Sequence, residues 1–177
     1  MDKKIGICLI GCGRVGTAHV QEYQDLRDRV KLFVCARNEN KVREFAKRFQ
    51  AEGWFTDYRE ALKRDDIVAV DICLPHNLHA KVAIDAARAG KHVLLEKPIA
   101  TTLKEADSII EEAKKAGIIF MVAENYHFEP AILKAKELID QGYIGEIFLI
   151  EAVSMGFYVP PLWRRSKAEM GGGVLID

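Results

Sequence analysis

The sequence predicts a parallel, doubly wound α/β sheet, and three features predict it. Six apolar runs alternate with helical patterns through residues 5–122. The longer runs are apolar at nearly every position, as in strands buried on both faces, instead of alternating with polar residues. The first run leads directly into a glycine-rich turn that opens a helix.

Each element follows from its own residues. Ile5–Ile10 reads as the first strand and Arg14–Leu26 as the helix after it. Val30–Ala36 is the second apolar run. Glu39–Gln50 is amphipathic, with Val42, Phe45, Ala46 and Phe49 on one face. Trp54 and Phe55 form a short third strand, and Asp57 can cap a short helix over Asp57–Lys63. Ile67–Leu74 is a fourth strand stopped by Pro75, and Asn77–Ala89 is a helix closed by Gly90. His92–Leu95 is a fifth strand. Thr102 and Glu105 form a capping box for a helix over Thr102–Ala116, closed by Gly117. Ile118–Val122 is the sixth strand.

The rhythm then changes, which divides the chain into residues 1–122 and 123–177. Pro130–Gln141 is a helix closed by Gly142. Glu146–Phe157 alternates, with Ile147, Leu149, Glu151 and Val153 on one face and Phe148, Ile150, Ala152 and Ser154 on the other. It predicts the first strand of a different sheet. A strand without partners is an exposed edge, so self-association into a homo-oligomer through it is expected. Disorder of the last fifteen to twenty residues is the other outcome that this pattern allows.

Composition excludes several classes. The 177 residues carry 26 basic and 26 acidic side chains, so there is no basic excess for a nucleic-acid backbone. At 49% apolar and net charge zero the chain is not compositionally disordered. No apolar run reaches the roughly 18–20 residues of a membrane span. Met1-Asp2-Lys3-Lys4 and the short run after it do not read as a secretion signal. Cys8, Cys12, Cys35 and Cys73 show no CxxC spacing, so reduced thiols in a cytoplasmic protein are expected.

Gly11-Cys12-Gly13-Arg14-Val15-Gly16 matches GxGxxG in the context that gives it meaning, between a buried strand and a helix. The first glycine permits the tight turn. The second lets backbone approach a pyrophosphate, and the third lets helix pack on strand. The helix N-terminus adds N–H groups and positive dipole for phosphate. An acid at the end of the second strand would bind the ribose 2′-hydroxyl of NAD. This chain has Ala36 and Arg37 there, so NADP is the expected cofactor, with NAD the second choice. Arg37 is read either as a partner for a 2′-phosphate or as a solvated residue stacked on adenine.

Three more stretches carry a resemblance. Ala89-Gly90-Lys91-His92-Val93-Leu94-Leu95-Glu96-Lys97-Pro98 resembles the AGKHVxxEKP signature of the glucose-fructose oxidoreductase/inositol dehydrogenase (Gfo/Idh/MocA) family. Pro75 through His79 resembles its PxxxH segment. Trp163-Arg164 followed by Gly171-Gly172-Gly173-Val174-Leu175-Ile176-Asp177 resembles its WR…GGGxLxD segment. With GxGxxG, four motifs stand in the family's order. His76 departs from a position that is often Asn, and the family pattern continues beyond Asp177 with GxH.

The resemblance implies a two-domain NAD(P)-dependent oxidoreductase, a Rossmann domain followed by a mostly antiparallel α+β domain that is only begun here. It implies sugar-, cyclitol- or polyol-like substrates. Oxidising an alcohol with a nicotinamide cofactor requires a base for the hydroxyl proton. Lys97 is the candidate, aimed by Pro98, with Asp177 as a second catalytic residue that binds a substrate hydroxyl or orients Lys97. Glu96 is read as a partner either for backbone or for the nicotinamide ribose. Leu74, Pro75, His76 and His79 are expected along the cofactor loop. Metal binding by His76 and His79 is not expected, since no third ligand accompanies them. Asn125, Tyr126 and His127 are expected near substrate, with His127 equally readable as a loop hydrogen-bonder. Trp163 and Arg164 are read either as closing over a polyol or as packing. A non-catalytic dinucleotide-binding module or assembly subunit is the competing class of function.

Overall fold

Where an apolar run and an amphipathic helix alternate, each strand is buried between layers and each helix returns the chain to the same edge of the sheet. The computed structural model of the chain, which describes residues 4–153, 155–156 and 159–172, has this architecture. Strands β1 (Ile5–Ile10), β2 (Val30–Cys35), β3 (Gly53–Phe55), β4 (Ala69–Ile72), β5 (His92–Leu95) and β6 (Phe120–Val122) form one sheet. Its order is β3-β2-β1-β4-β5-β6 and all its pairs are parallel. Helices α1 (Arg14–Tyr23), α2 (Glu39–Phe49), α3 (Tyr58–Leu62), α4 (His79–Arg88) and α5 (Leu103–Ala116) connect the strands.

The two faces carry separate cores. On one, Leu9, Leu32 and Val34 pack with Val20 of α1 and Val42, Phe45 and Phe49 of α2. On the other, Ile10, Phe33, Val70, Ile72, Val93 and Leu95 pack with Val82, Ala83 and Ala86 of α4 and Ile109 of α5. Adjacent residues such as Leu9 and Ile10 therefore serve opposite faces, which is why these strands read as continuous apolar runs.

The predicted caps form. Asp57 accepts from the Arg59 N–H at 3.0 Å and Thr102 Oγ1 accepts from the Glu105 N–H at 3.2 Å. The reciprocal half of the capping box is shifted by one residue. Glu105 Oε2 accepts from the Thr101 N–H and from the hydroxyls of Thr101 and Thr102. Gly90 and Gly117 take φ of +70° and +65° after α4 and α5, conformations that cost a glycine little.

The chain divides into two units. One comprises the sheet through Ala123 together with the segment from Leu162 onward, and the other is Glu124–Pro161. Residues 162–172, read from sequence as part of a second domain only begun here, group with the sheet. Leu162–Arg165 forms a 3₁₀ turn and Lys167–Met170 a short helix, α7. Their anchor is His76, whose ring lies edge-on to Trp163 at 4.9 Å between centroids and whose Nδ1 lies 3.1 Å from Met170 O.

Glu124–Pro161 holds a 3₁₀ turn at Asn125–Phe128 and helix α6 (Pro130–Asp140), none of whose residues is buried. The strand predicted over Glu146–Phe157 is not formed among the described residues, and Ser154 and Phe157 lie outside them. A strand exists only through ladder bonds to a neighbour, and residues 146–153 make none. Phe148 is 96% exposed. Among the described residues, no helix is long and apolar enough to cross a membrane.

Candidate cofactor and active site

The carboxyl ends of β1, β4 and β5 bring the glycine turn, the Leu74–His76 segment and Glu96–Lys97 to one edge of the sheet. At the end of β1, the Gly11 N–H donates to Cys35 O at 2.9 Å, which closes the turn against β2. Gly11 has φ +115°, and a Cβ there would lie 2.1 Å from Cys73 O and 3.3 Å from Leu74 Cδ2. A Cβ on Gly16 would lie 2.1 Å from Gly11 O. The first and third glycines are therefore required by the turn itself. Gly13 differs, since a Cβ there would meet nothing within 4 Å. The space beside it is open. Gly13 also precedes α1, and no side chain caps that helix. The N–H groups of the first turn, at Arg14, Val15 and Gly16, are those a helix leaves for an anion. Cys12, beside them, has its thiol pushed up to about 12 by burial. The residues present thus fit a dinucleotide pyrophosphate.

Beside this turn, Ala36 follows β2, with its N–H donating to Phe55 O at 3.1 Å, and Arg37 is exposed. At the end of β4 the Cys73 N–H donates to Ile10 O at 2.9 Å, and Leu74 and Pro75 lead into the His76–Leu78 turn. His79 is fully buried, with Nδ1 2.8 Å from Pro98 O and Nε2 2.9 Å from Leu74 O, so one ring ties the loop after β4 to the loop after β5. Burial lowers its pKa against the pull of both carbonyls. His76 is also lowered, first by burial, with the charges of His79, Arg164 and Lys97 adding to the effect. Trp163 lies against His76 in the sheet unit. Arg164 lies over the Trp163 ring at 5.0 Å.

After β5, the Glu96 N–H donates to Ile72 O at 3.0 Å, and the half-buried Lys97 precedes Pro98 through a cis peptide bond. Asn125, Tyr126 and His127 are exposed on the 3₁₀ turn of the other unit. Asp177 lies outside the described residues.

One cluster escaped the sequence reading. His19, one helical turn before Tyr23 on α1, points Nδ1 at Asp71 of β4, 2.9 Å from Oδ2 and 3.1 Å from Oδ1. Its Nε2 lies 3.0 Å from Glu96 Oε1. The Tyr23 hydroxyl donates to Asp71 Oδ2 at 2.8 Å, and Cys73 Sγ lies 3.6 Å from Asp71 Oδ1. Asp71 is completely buried. The Asp71 hydrogen bond, then those of Cys73 and Glu96, push His19 up to about 12 against the opposing effect of burial. Burial pushes the Cys73 thiol up to about 12, and burial beside Asp71 raises Tyr23. The sequence held two signals: a charged residue inside a strand buried on both faces, and a His–Tyr pair at i,i+4 after the third glycine. His19, Asp71 and Cys73 also present potential metal-ligating atoms within 4.8 Å of one another.

Comparison with known proteins places these features in a family. Residues 5–124 match the model of the GFO/IDH/MocA oxidoreductase family, NAD-binding Rossmann fold, and residues 132–177 match a GFO/IDH/MocA C-terminal domain. The chain is 34% identical to levoglucosan dehydrogenase of Pseudarthrobacter phenanthrenivorans, across 99% of this chain and 48% of that protein. It is 31% identical to myo-inositol 2-dehydrogenase of Thermotoga maritima, across 98% of this chain and 51% of that protein. A solved structure of levoglucosan dehydrogenase in complex with NADH superposes with a TM-score of 0.86 at 34% identity, covering 99% of this chain and 50% of that one. The chain spans about half the length of the curated relatives it matches. It belongs to the GFO/IDH/MocA family of oxidoreductases.

Proposed function

We propose that the protein takes part in hydride transfer between a nicotinamide dinucleotide and a sugar-, cyclitol- or related polyol-like alcohol or ketone. The observation that carries this reading is the convergence of the bare Gly13 turn and Lys97 on one carboxyl edge of the sheet. The relatives named for levoglucosan and myo-inositol support the substrate class. The bound cofactor supplies hydride chemistry; the chain supplies binding, orientation and proton movement. In this reading Gly11–Gly16 and the first turn of α1 hold the pyrophosphate. Ala36 and Arg37 meet the adenosine ribose. Leu74, Pro75, His76 and His79 line the dinucleotide, and Glu96 meets the nicotinamide ribose. Lys97 takes the proton from the substrate hydroxyl at Nζ, or returns it in the reverse direction. Asp177 assists it, and Asn125, Tyr126, His127, Trp163 and Arg164 contact substrate.

The absence of an acid at the end of β2, with Arg37 following, supports acceptance of NADP beside NAD. Reduced cysteines support a cytoplasmic setting. The exposed apolar run at 146–153 supports self-association. The test is a turnover screen of inositols, levoglucosan and hexoses with both cofactors, read at 340 nm, beside calorimetric binding of each cofactor. Turnover abolished by Lys97→Met supports the reading. Cofactor binding without turnover on any polyol removes the catalytic assignment, and binding of neither dinucleotide removes the whole reading.

A further inference from the structure

We propose that His19 is a positioning residue for the nicotinamide end of the cofactor site, acting through Glu96. This rests on the dinucleotide reading above and deepens it. The His19 ring lies between two carboxylates, Asp71 at 2.9 Å and Glu96 at 3.0 Å. An ionised carboxylate only accepts, and a neutral imidazole has a single N–H. Both contacts are made together only by an imidazolium that donates from each nitrogen. The lower contact cannot be given up cheaply. Asp71 has no exposure, and besides His19 its oxygens meet only the Tyr23 hydroxyl and the Cys73 thiol among the described partners. The ring is thus held from inside the fold, and its outer N–H holds Glu96.

The network joins three elements that converge on the cofactor edge. His19 belongs to α1, whose first turn faces the pyrophosphate in our reading. Asp71 belongs to β4, and Glu96 opens the Lys97–Pro98 turn after β5. The Glu96 backbone is already fixed by its N–H bond to Ile72 O, so His19 adds the side chain's direction. Glu96 keeps 18% of its side chain exposed, which places the carboxylate at the border between the network and the open edge. Dinucleotide phosphate binding at one end of α1 and the orientation of Glu96 are thereby built on the same helix.

The test compares NADH with ADP, which lacks the nicotinamide and its ribose, on the full chain by calorimetry. The proteins are the wild type, His19→Gln, Glu96→Gln and the double variant. His19→Gln weakens NADH by about tenfold, the size of one lost charge-assisted hydrogen bond, and leaves ADP within about twofold. Because His19 acts through Glu96, the double variant is no weaker than Glu96→Gln alone. In the wild type, ¹⁵N spectra of the His19 ring show both nitrogens protonated at pH 8. Parallel loss of both ligands, unchanged NADH affinity, or additive losses in the double variant overturn the proposal. So does a ring that is neutral at pH 8, or one whose N–H signals vanish on adding Zn²⁺, which makes the His19–Asp71–Cys73 cluster a metal centre. If the wild type binds neither NADH nor ADP, the dinucleotide reading has failed and the proposal fails with it.

Discussion

The sheet unit and the Glu124–Pro161 unit treat the same kinds of residue in opposite ways. In the sheet unit, the few charged and ionisable groups that go inside each find partners. Asp71 takes His19 and Tyr23, His79 lies between two carbonyls, and Lys91 Nζ donates to Arg64 O at 2.7 Å. Among the described residues, no buried side-chain nitrogen or oxygen lacks a partner. In Glu124–Pro161 most of the described apolar side chains are outside. Tyr126, Phe128, Tyr143, Phe148 and Ile150 are each at least 69% exposed. The difference teaches where the fold is determined. A buried polar network is worth forming only where packing already fixes its geometry, whereas an apolar surface of this kind waits for a covering surface. Substitutions should therefore be costly in the first region and nearly silent for stability in the second.

The largest break in that contrast comes from His19→Ala. It leaves Asp71 fully buried and without its cationic partner, at a cost of about 3–5 kcal/mol. Urea unfolding of the sheet unit measures it, and a loss under about 1 kcal/mol would mean that water reaches Asp71 and that the network is not closed. Gly16→Ala comes next. Its Cβ would lie 2.1 Å from Gly11 O, and backbone must move to relieve the overlap. Overpacking of this kind costs about 1–3 kcal/mol. Because the displaced atoms form the phosphate turn, NADH affinity falls with stability. Gly13→Ala is the control, since its Cβ meets no protein atom; it spares stability and weakens only the dinucleotide.

Two histidines of the sheet unit, the half-buried His19 and the buried His79, sharpen the comparison through pH. His19 is raised in the folded state from an ordinary value of 6.5 to about 12. Its contribution is complete below about pH 6.5 and drains away as pH rises toward 12, with a slope of at most about 1.4 kcal/mol per pH unit. His79 is lowered. Burial favours its neutral form, whose single N–H serves one of the two carbonyls, so its contribution is complete above about pH 6.5 and is lost as pH falls below that value. Melting temperatures across pH 5–9 should show His19→Gln flattening the alkaline limb and His79→Gln the acid limb. Exchange of those two effects would reverse the assigned charge states.

What was legible in the sequence follows the same division. The glycine turn, the strand ends that carry Glu96 and Lys97, and the caps at Asp57 and Thr102 are local, so a short window of residues contains their cause. The family signature added Lys97 as the reactive group, which spacing alone does not separate from a surface lysine. The His19–Asp71 pair was not legible, because its members are 52 residues apart and meet only through the pairing of β1 with β4. The docking of Trp163 and Met170 on His76 was hidden for the same reason. The 146–157 run shows the converse failure. Its alternation is a real strand signal, but alternation specifies two faces and not a partner.

That run carries the smallest expected effect on stability and the clearest difference between the regions. Phe148→Ser removes an aromatic side chain that is 96% exposed. An exposed side chain contributes no burial to lose, so unfolding of the sheet unit should change by no more than about 0.5 kcal/mol. Substituting a buried aromatic such as Phe33, 4% exposed in the core between the sheet and α4, should cost about 3–5 kcal/mol. The ratio between the two is the contrast expressed in one residue type. Association is the second readout. If apolar residues 147–153 meet another copy, Phe148→Ser lowers the sedimentation-derived mass at fixed concentration while the melting curve stays in place. If instead Phe148→Ser costs several kcal/mol in a monomer, the side chain is covered within the chain, and the 124–161 unit must be packed far more like the sheet unit than its exposure shows.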